Sequence, residues 1–148
     1  MKTILFLCSA NYYRSRFAEH FFNHLAERRQ VPWRADSCGL DVERWGDIGD
    51  ISHFAAEALE ERGIPLDRPL RRPRQVCLDD FGEADLVVAV KEAEHRAMMT
   101  AQFPQWANRI EYWQIDDLDC ATPDDALPEL ESRISDLVDR LAEESEAA

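Results

Sequence analysis

Lysine is nearly missing from this 148-residue chain: of 17 basic residues only Lys2 and Lys91 are lysine, and the rest are arginine. Arginine suits planar, bidentate contacts with anions, although the base composition of a genome produces the same bias. Positive charge as a whole is also short. The 17 basic side chains face 30 acidic ones, for a formal net charge of -13. That argues against a nucleic-acid backbone or an anionic membrane surface as the main partner, because both demand cationic patches. No stretch approaches the roughly 18 consecutive apolar residues of a membrane span. The apolar start is shorter than the core of a signal peptide, about 7–15 residues, and no small-residue cleavage site follows it. Cys8, Cys38, Cys77 and Cys120 form no C-x-x-C pair, which excludes a zinc ribbon and a thioredoxin-type motif. The expectation is a cytoplasmic protein with reduced thiols. Repeats, linkers and low-complexity blocks are also missing, apart from an acidic tail. What is present fits one domain over 1–148, with 45% hydrophobic residues to build its core.

Hydrophobic periodicity divides the chain into alternating strands and helices. Residues 4–7 are a continuous apolar run, as expected of a strand buried on both faces. Over residues 15–29, Phe17, Ala18, Phe21, Phe22, Leu25 and Ala26 recur at the spacing of an amphipathic helix. Residues 33–37 alternate weakly, as a short strand would. A second helix is expected over 51–63, with Ser52 as N-cap, Phe54, Ala55, Ala58 and Leu59 as its stripe and Gly63 as its stop. Residues 65–73, rich in proline and arginine, read as a solvated connection. Residues 84–90 are the clearest strand. A helix over 92–102 ends before Pro104, 109–115 is a further strand candidate, and Leu127, Leu130, Ile134, Leu137, Val138 and Leu141 mark a last helix. The alternation predicts an α/β fold: an open four-stranded parallel sheet with helices on both faces. Ligands of such sheets sit outside the carboxyl ends of the strands, here the loops after Leu7, Ser37, Val90 and Trp113.

The first of these loops reads Cys8-Ser9-Ala10-Asn11-Tyr12-Tyr13-Arg14-Ser15, a C-x5-R-S segment between a buried strand and a helix. A tight strand-to-helix turn aims the backbone N–H groups of Ser9, Ala10, Asn11, Tyr12, Tyr13 and Arg14 inward, and the helix start adds partial positive charge. Such a cradle binds phosphate. Cysteines at helix N-termini or beside cations ionise at roughly pKa 3.5–7.5, so a thiol at its base is expected as thiolate. Arg14 can fork onto two phosphoryl oxygens, Ser15 can donate a hydrogen bond to the sulfur, and Asn11 can tie the loop to its neighbours. A second C-x5-R segment, from Cys38 to Arg44, holds Asp41 and Glu43, which would repel phosphate, and is followed by Trp45 rather than serine. It is set aside as coincidence.

The segment from Cys8 to Ser15, with its flanking strand and helix, resembles the signature of low-molecular-weight protein tyrosine phosphatases and the related arsenate reductases, usually C-x-G-N-x-C-R-S. Cys8, Asn11, Arg14 and Ser15 match it. Asp36-Ser37-Cys38-Gly39 resembles the family's D-S-A-G, and residues 58–63 and 84–90 resemble its R-G-I helix end and A-D-L-V-L-x-M strand. The resemblance covers residues 2 to about 141. Two departures have consequences. Ala10 stands where the family has glycine, so the loop must avoid positive φ there or carry strain. Tyr13 replaces the second loop cysteine, which removes the family's protective disulfide with the nucleophile. Tyr12 and Tyr13 either wall the slot against an aromatic ring or pack on the first helix.

The resemblance implies hydrolysis of phosphotyrosine in a protein, or of a small aryl phosphate, through a phosphocysteine intermediate, with inorganic phosphate as product and no metal or cofactor. Cys8 would attack phosphorus while Arg14 and the loop amides hold the equatorial oxygens. A tyrosyl oxygen, with a pKa near 10, must be protonated as it leaves. The family takes that proton from an Asp in a D-P-Y loop, which this chain lacks. Matching Ile115-Asp116-Asp117-Leu118 to the family's I-P-D-P makes Asp117 the acid, with Asp116 and then Asp119 as alternatives, and a merely solvated acidic loop as the plain reading. Two other functions remain open: an arsenate reductase using an external thiol, and a non-catalytic phosphate-binding module. His20 and His24 have a metal-compatible i, i+4 spacing without a third ligand and read as polar helix positions, as His53 and His95 do singly. Trp33, Trp106 and Trp113 read as core or edge aromatics, and Trp45 as a residue flanking the anion site.

Overall fold

The computed structural model describes residues 1–147. Strand β1 (Lys2–Cys8) runs through the middle of a four-stranded sheet, between β2 (Trp33–Gly39) and β3 (Leu86–Ala89). Strand β4 (Glu111–Tyr112) adds beyond β3, and every pairing is parallel, in the order β2-β1-β3-β4. Successive strand side chains point to opposite faces. Ile4, Phe6 and Cys8 therefore enter one core layer and Leu5 and Leu7 the other. Because residues 4–8 are buried throughout, that part of the strand has to be covered on both faces. Helices α1 (Arg14–Arg28), α2 (His53–Glu61) and α5 (Pro123–Ala147) cover the first face, and α3 (Leu78–Glu83) and α4 (Glu92–Gln102) the second. Phe6 is fully buried and meets the rings of Phe22 and Trp113 at 6.0 and 5.8 Å. Burial of such a side chain contributes about 1.5–3 kcal/mol.

The α1 stripe is buried as its spacing predicts, and Ser52 caps α2 by accepting the Phe54 N–H at 3.2 Å. Three expectations change. The strand expected over 109–115 is only Glu111–Tyr112, because the preceding residues are taken up by turns in which the Trp106 and Arg109 N–H groups bond Phe103 and Trp106 carbonyls. Helix α3 was not foreseen. Its single buried residue, Phe81, leaves no apolar period to read, and Asp80 closes its first turn by accepting the Cys77 N–H at 2.8 Å. Helix α5 starts four residues before its apolar stripe, at Pro123, and carries Pro128 inside it. A proline at the first helical position forfeits no intrahelical bond.

In the parallel register Leu7 lies beside Cys38 on one side and Ala89 on the other, and Ala89 lies beside Tyr112. The loops that follow all four strands thus open on one edge of the sheet, around Cys8.

Candidate active site

The loop from Ser9 to Tyr13 is held from below by Gly39. A Cβ there would meet the Ser9 carbonyl oxygen at 2.7 Å and the Asn11 nitrogen at 3.1 Å, so only glycine lets β2 end this close. The Leu40 and Asp41 N–H groups bond the Cys8 and Ser9 carbonyls at 2.9 and 3.0 Å, and Ser52 N–H bonds the Tyr12 carbonyl at 2.8 Å. Those three carbonyls are thereby occupied, while no acceptor among the described residues takes the N–H groups of residues 9–13. Nor does a side chain cap the start of α1. Positive φ falls on Asn11, at 54°, and not on Ala10. Asparagine tolerates the left-handed region better than most residues, so the alanine substitution brings no strain.

Asn11 is the loop's tie. Its Nδ2 donates to Ser15 Oγ and Ser37 Oγ, both at 2.9 Å, and its Oδ1 accepts from Arg71 Nη1 and the Arg74 backbone N–H, both at 3.0 Å. Ser15 Oγ lies 2.9 Å from Cys8 Sγ. Because that oxygen already accepts from Asn11, its own hydrogen is free to be donated to the sulfur. Arg71 also reaches the Ser37 carbonyl at 2.6 Å, Asp36 at 3.0 Å and Glu19 at 3.3 Å. Residues 65–73 are therefore not merely a solvated connection. Asp36 takes part in the same support. Although burial works against its charge, the Ser37 N–H and the cations Arg71 and Arg74 hold its carboxyl below the ordinary range.

Arg14 is buried and meets three residues, two on the loop after β4 and one on α4. Its Nη1 donates to the Ile115 carbonyl at 3.1 Å, its Nη2 lies 3.3 Å from Asp117 Oδ2, and both nitrogens lie 3.3 Å from oxygens of Glu94. Burial opposes the charge, but Cys8, Asp117 and Glu94 outweigh it and hold the guanidinium above its ordinary pKa. Of the three acidic candidates, Asp117 is the one brought to Arg14. Asp116 turns away to Lys91 Nζ at 2.8 Å, and Asp119 is exposed. Tyr13 is 5% exposed and packs in the core of the α1 face. Burial, and then Asp117, push its hydroxyl pKa up to about 12 against the pull of Arg14, so it remains protonated. Tyr12 is half-buried, and a Cβ at Gly49 would touch its ring at 3.9 Å.

Cys38 sits fully buried in β2, its thiol pushed up to about 12 chiefly by burial, while Arg44 lies exposed over the Trp45 ring. The second C-x5-R segment forms no cradle. His20 and His24 gain no third ligand, and among the described residues no group of three His, Cys, Asp or Glu side chains converges as a metal site. Trp33 and Trp113 are buried, Trp106 stacks on Phe81, and Trp45 is exposed. Nothing in the sequence marks Glu94, and His95, read there as a polar helix position, is completely buried. The carboxyl of Glu94 is held well below the usual range by its hydrogen bond to His95, by Arg14 and by Ser9, against its partial burial.

A thiol at the end of a central strand, with a buried arginine and free amides closing round it at the start of a helix, defines an α/β protein of the cysteine-based, oxyanion-binding class. Comparison with known proteins narrows the class. The sequence profile described as low molecular weight phosphotyrosine protein phosphatase matches residues 3–146, and the chain belongs to that family. It is 28% identical over 107 residues to a protein of Bacillus subtilis named protein-arginine-phosphatase, covering 72% of this chain and 67% of that one. It is also 28% identical over 97 residues to the human low molecular weight phosphotyrosine protein phosphatase, covering 64% of this chain and 58% of that one. The match thus spans less than two thirds of the human relative. A low molecular weight protein tyrosine phosphatase from T. tengcongensis superimposes with a TM-score of 0.75 at 26% identity, covering 97% of this chain and 99% of that one. The crystal structure of YfkJ from Bacillus subtilis shares the fold, with a TM-score of 0.82 at 23% identity over 97% of this chain and 96% of that one.

Proposed function

We propose that the chain, acting as one domain over 1–148, hydrolyses phosphotyrosine or a similar aryl phosphate monoester through a phosphocysteine. The observation that carries this reading is the contact of Ser15 Oγ with Cys8 Sγ at 2.9 Å, made beside a buried Arg14 that Asp117 also reaches. In this mechanism the Cys8 thiolate attacks phosphorus in line with the departing phenolic oxygen. Arg14 and the amides of Ser9, Ala10, Asn11, Tyr12 and Tyr13 hold the three equatorial oxygens. Asp117 gives its proton to the leaving oxygen, then takes one from the water that cleaves the S–P bond. Ser15 stabilises the sulfur as it departs. Inorganic phosphate is released, and the thiolate returns. Four free thiols fit a reducing, cytoplasmic setting.

A second reading is favoured by one observation. Glu94 and Asp117 place two carboxylates on the rim, each on Arg14, a setting that would also receive a cationic guanidinium leaving group. The named activity of the Bacillus subtilis relative makes phosphoarginine the substrate to compare. The test is turnover of one peptide carrying either phosphotyrosine or phosphoarginine. The aryl reading requires faster release of phosphate from phosphotyrosine and its loss in Cys8→Ser. Preference for phosphoarginine supports the second reading. Oxyanion binding without turnover would leave a binding module, and thiol-dependent arsenite release without hydrolysis would make the protein an arsenate reductase.

A further inference from the structure

Nothing in the mechanism above uses Glu94, yet no other carboxylate at the rim has so many partners. Its Oε2 and Oε1 lie 3.3 Å from Arg14 Nη1 and Nη2 respectively, so it grips the end-on edge of the guanidinium with two parallel contacts. The remaining Nη1 hydrogen goes to the Ile115 carbonyl at 3.1 Å, and Nη2 also faces Asp117 at 3.3 Å. A guanidinium carries five N–H donors in a rigid fork. Three donate hydrogen bonds to protein, Nη2 is also ion-paired with Asp117, and Nε–H has no partner among the described residues. The side-on edge, made of Nε and Nη2, is left for an anion, with Asp117 ion-paired to it at Nη2.

Glu94 is itself fixed from α4. The Ser9 hydroxyl donates to its Oε1. His95, completely buried, accepts the Lys91 N–H on Nδ1 at 3.1 Å, so its proton sits on Nε2, 3.1 Å from Ser9 Oγ and 3.4 Å from Glu94 Oε1. Burial keeps the ring below its ordinary pKa, and it works as a neutral donor. The residue after the nucleophile, the carboxylate and the end-on edge of the arginine thus form one connected network, which favours a single arrangement.

We propose that Glu94 is the positioning residue of Arg14: holding the end-on edge, it sets the guanidinium plane so that the phosphoryl group meets the side-on edge and Asp117 is the carboxylate that yields. This rests on the phosphatase reading of the same site. It also gives Asp117 its timing, since the oxygen that displaces it from Nη2 arrives with the leaving group it must protonate. A fixed fork favours the planar equatorial oxygens of the transition state over the tetrahedral ground state.

Two variants test this. Glu94→Gln keeps the size but turns one gripping oxygen into a donor. Glu94→Asp keeps the charge but is one methylene too short to span both nitrogens. In each, kcat is expected to fall about 10- to 100-fold, and vanadate, the trigonal-bipyramidal mimic, to bind weaker by the same factor. KM and inhibition by inorganic phosphate are expected to stay within about threefold. Urea midpoints confirm that each variant folds. A kcat within about twofold of the parent in either variant, or a loss carried by KM and phosphate rather than by kcat and vanadate, overturns the proposal. A parent without turnover fails the phosphatase reading instead, and vanadate affinity then reads the positioning alone. Cys8-dependent turnover indifferent to both variants fails only this inference.

Discussion

Replacing Asn11 with alanine removes the tie that shapes the anion loop, and the structure sets the size of the effect. Asn11 is fully buried and uses both Nδ2 hydrogens and both Oδ1 lone pairs, on Ser15, Ser37, Arg71 and the Arg74 backbone. Each such bond contributes about 0.5–1.5 kcal/mol net, and more where the partner is charged, as Arg71 is. Alanine at the φ of 54° that Asn11 adopts adds about 1 kcal/mol. Allowing for partners that re-pair, Asn11→Ala is expected to lose about 3–5 kcal/mol of unfolding free energy in urea titration, a large part of the roughly 5–15 kcal/mol available to a domain. Asn11→Gly loses the same four bonds but not the left-handed penalty, and is expected to be less destabilised. Turnover should fall in both, because Ser15 loses the donor that orients it. A loss below about 1 kcal/mol in Asn11→Ala, or a glycine variant less stable than the alanine one, would refute the reasoning.

Asp117→Asn is expected to slow phosphotyrosine turnover by about 10²–10⁴-fold. Asp116→Asn, which breaks only the Lys91 pair, should stay within about tenfold of the parent, and the opposite ranking would move the acid to Asp116. Asp80 tests the pH dependence of stability. Burial opposes its charge, but the Cys77 N–H and Arg74 hold its carboxyl below the ordinary value. A carboxylate depressed in the folded protein stabilises it above the unfolded titration, about pH 4, and that contribution fades as the pH drops toward the folded value. The urea midpoints of Asp80→Asn and the parent should therefore differ most near neutral pH and converge in acid, and a gap that widens on acidification would contradict the assignment.

The order of strands and helices, the loop after β1 and the pairing of Cys8 with Ser15 and Arg14 could be read in the sequence, because each rests on local signals: an apolar run, a helical stripe, and residue types at fixed spacing. What surrounds the loop could not. Glu94 lies in the polar stretch Lys91-Glu92-Ala93-Glu94-His95-Arg96, whose sequence marks no site, and the packing of α4 against β3 brings it to Arg14. Arg71 sits in a loop without periodicity and reaches Asn11 across 60 residues of sequence. Matching Asp117 to the family motif selected the carboxylate that faces Arg14, while spacing alone could not separate it from Asp116. Helix α3 was too short for its pattern to register, and β4, expected over 109–115, forms only at Glu111–Tyr112. Tyr13 could not be settled between wall and packing until its burial in the core was seen.

The most direct measurement is rapid acid quench of Asp117→Asn during turnover of p-nitrophenyl phosphate, followed by peptide mass spectrometry. A phosphoryl group on the peptide that bears Cys8, formed in step with a burst of p-nitrophenol and missing in Cys8→Ser, is the predicted result. Turnover with no phosphorylated peptide, or a phosphoryl group on any other residue, would contradict it.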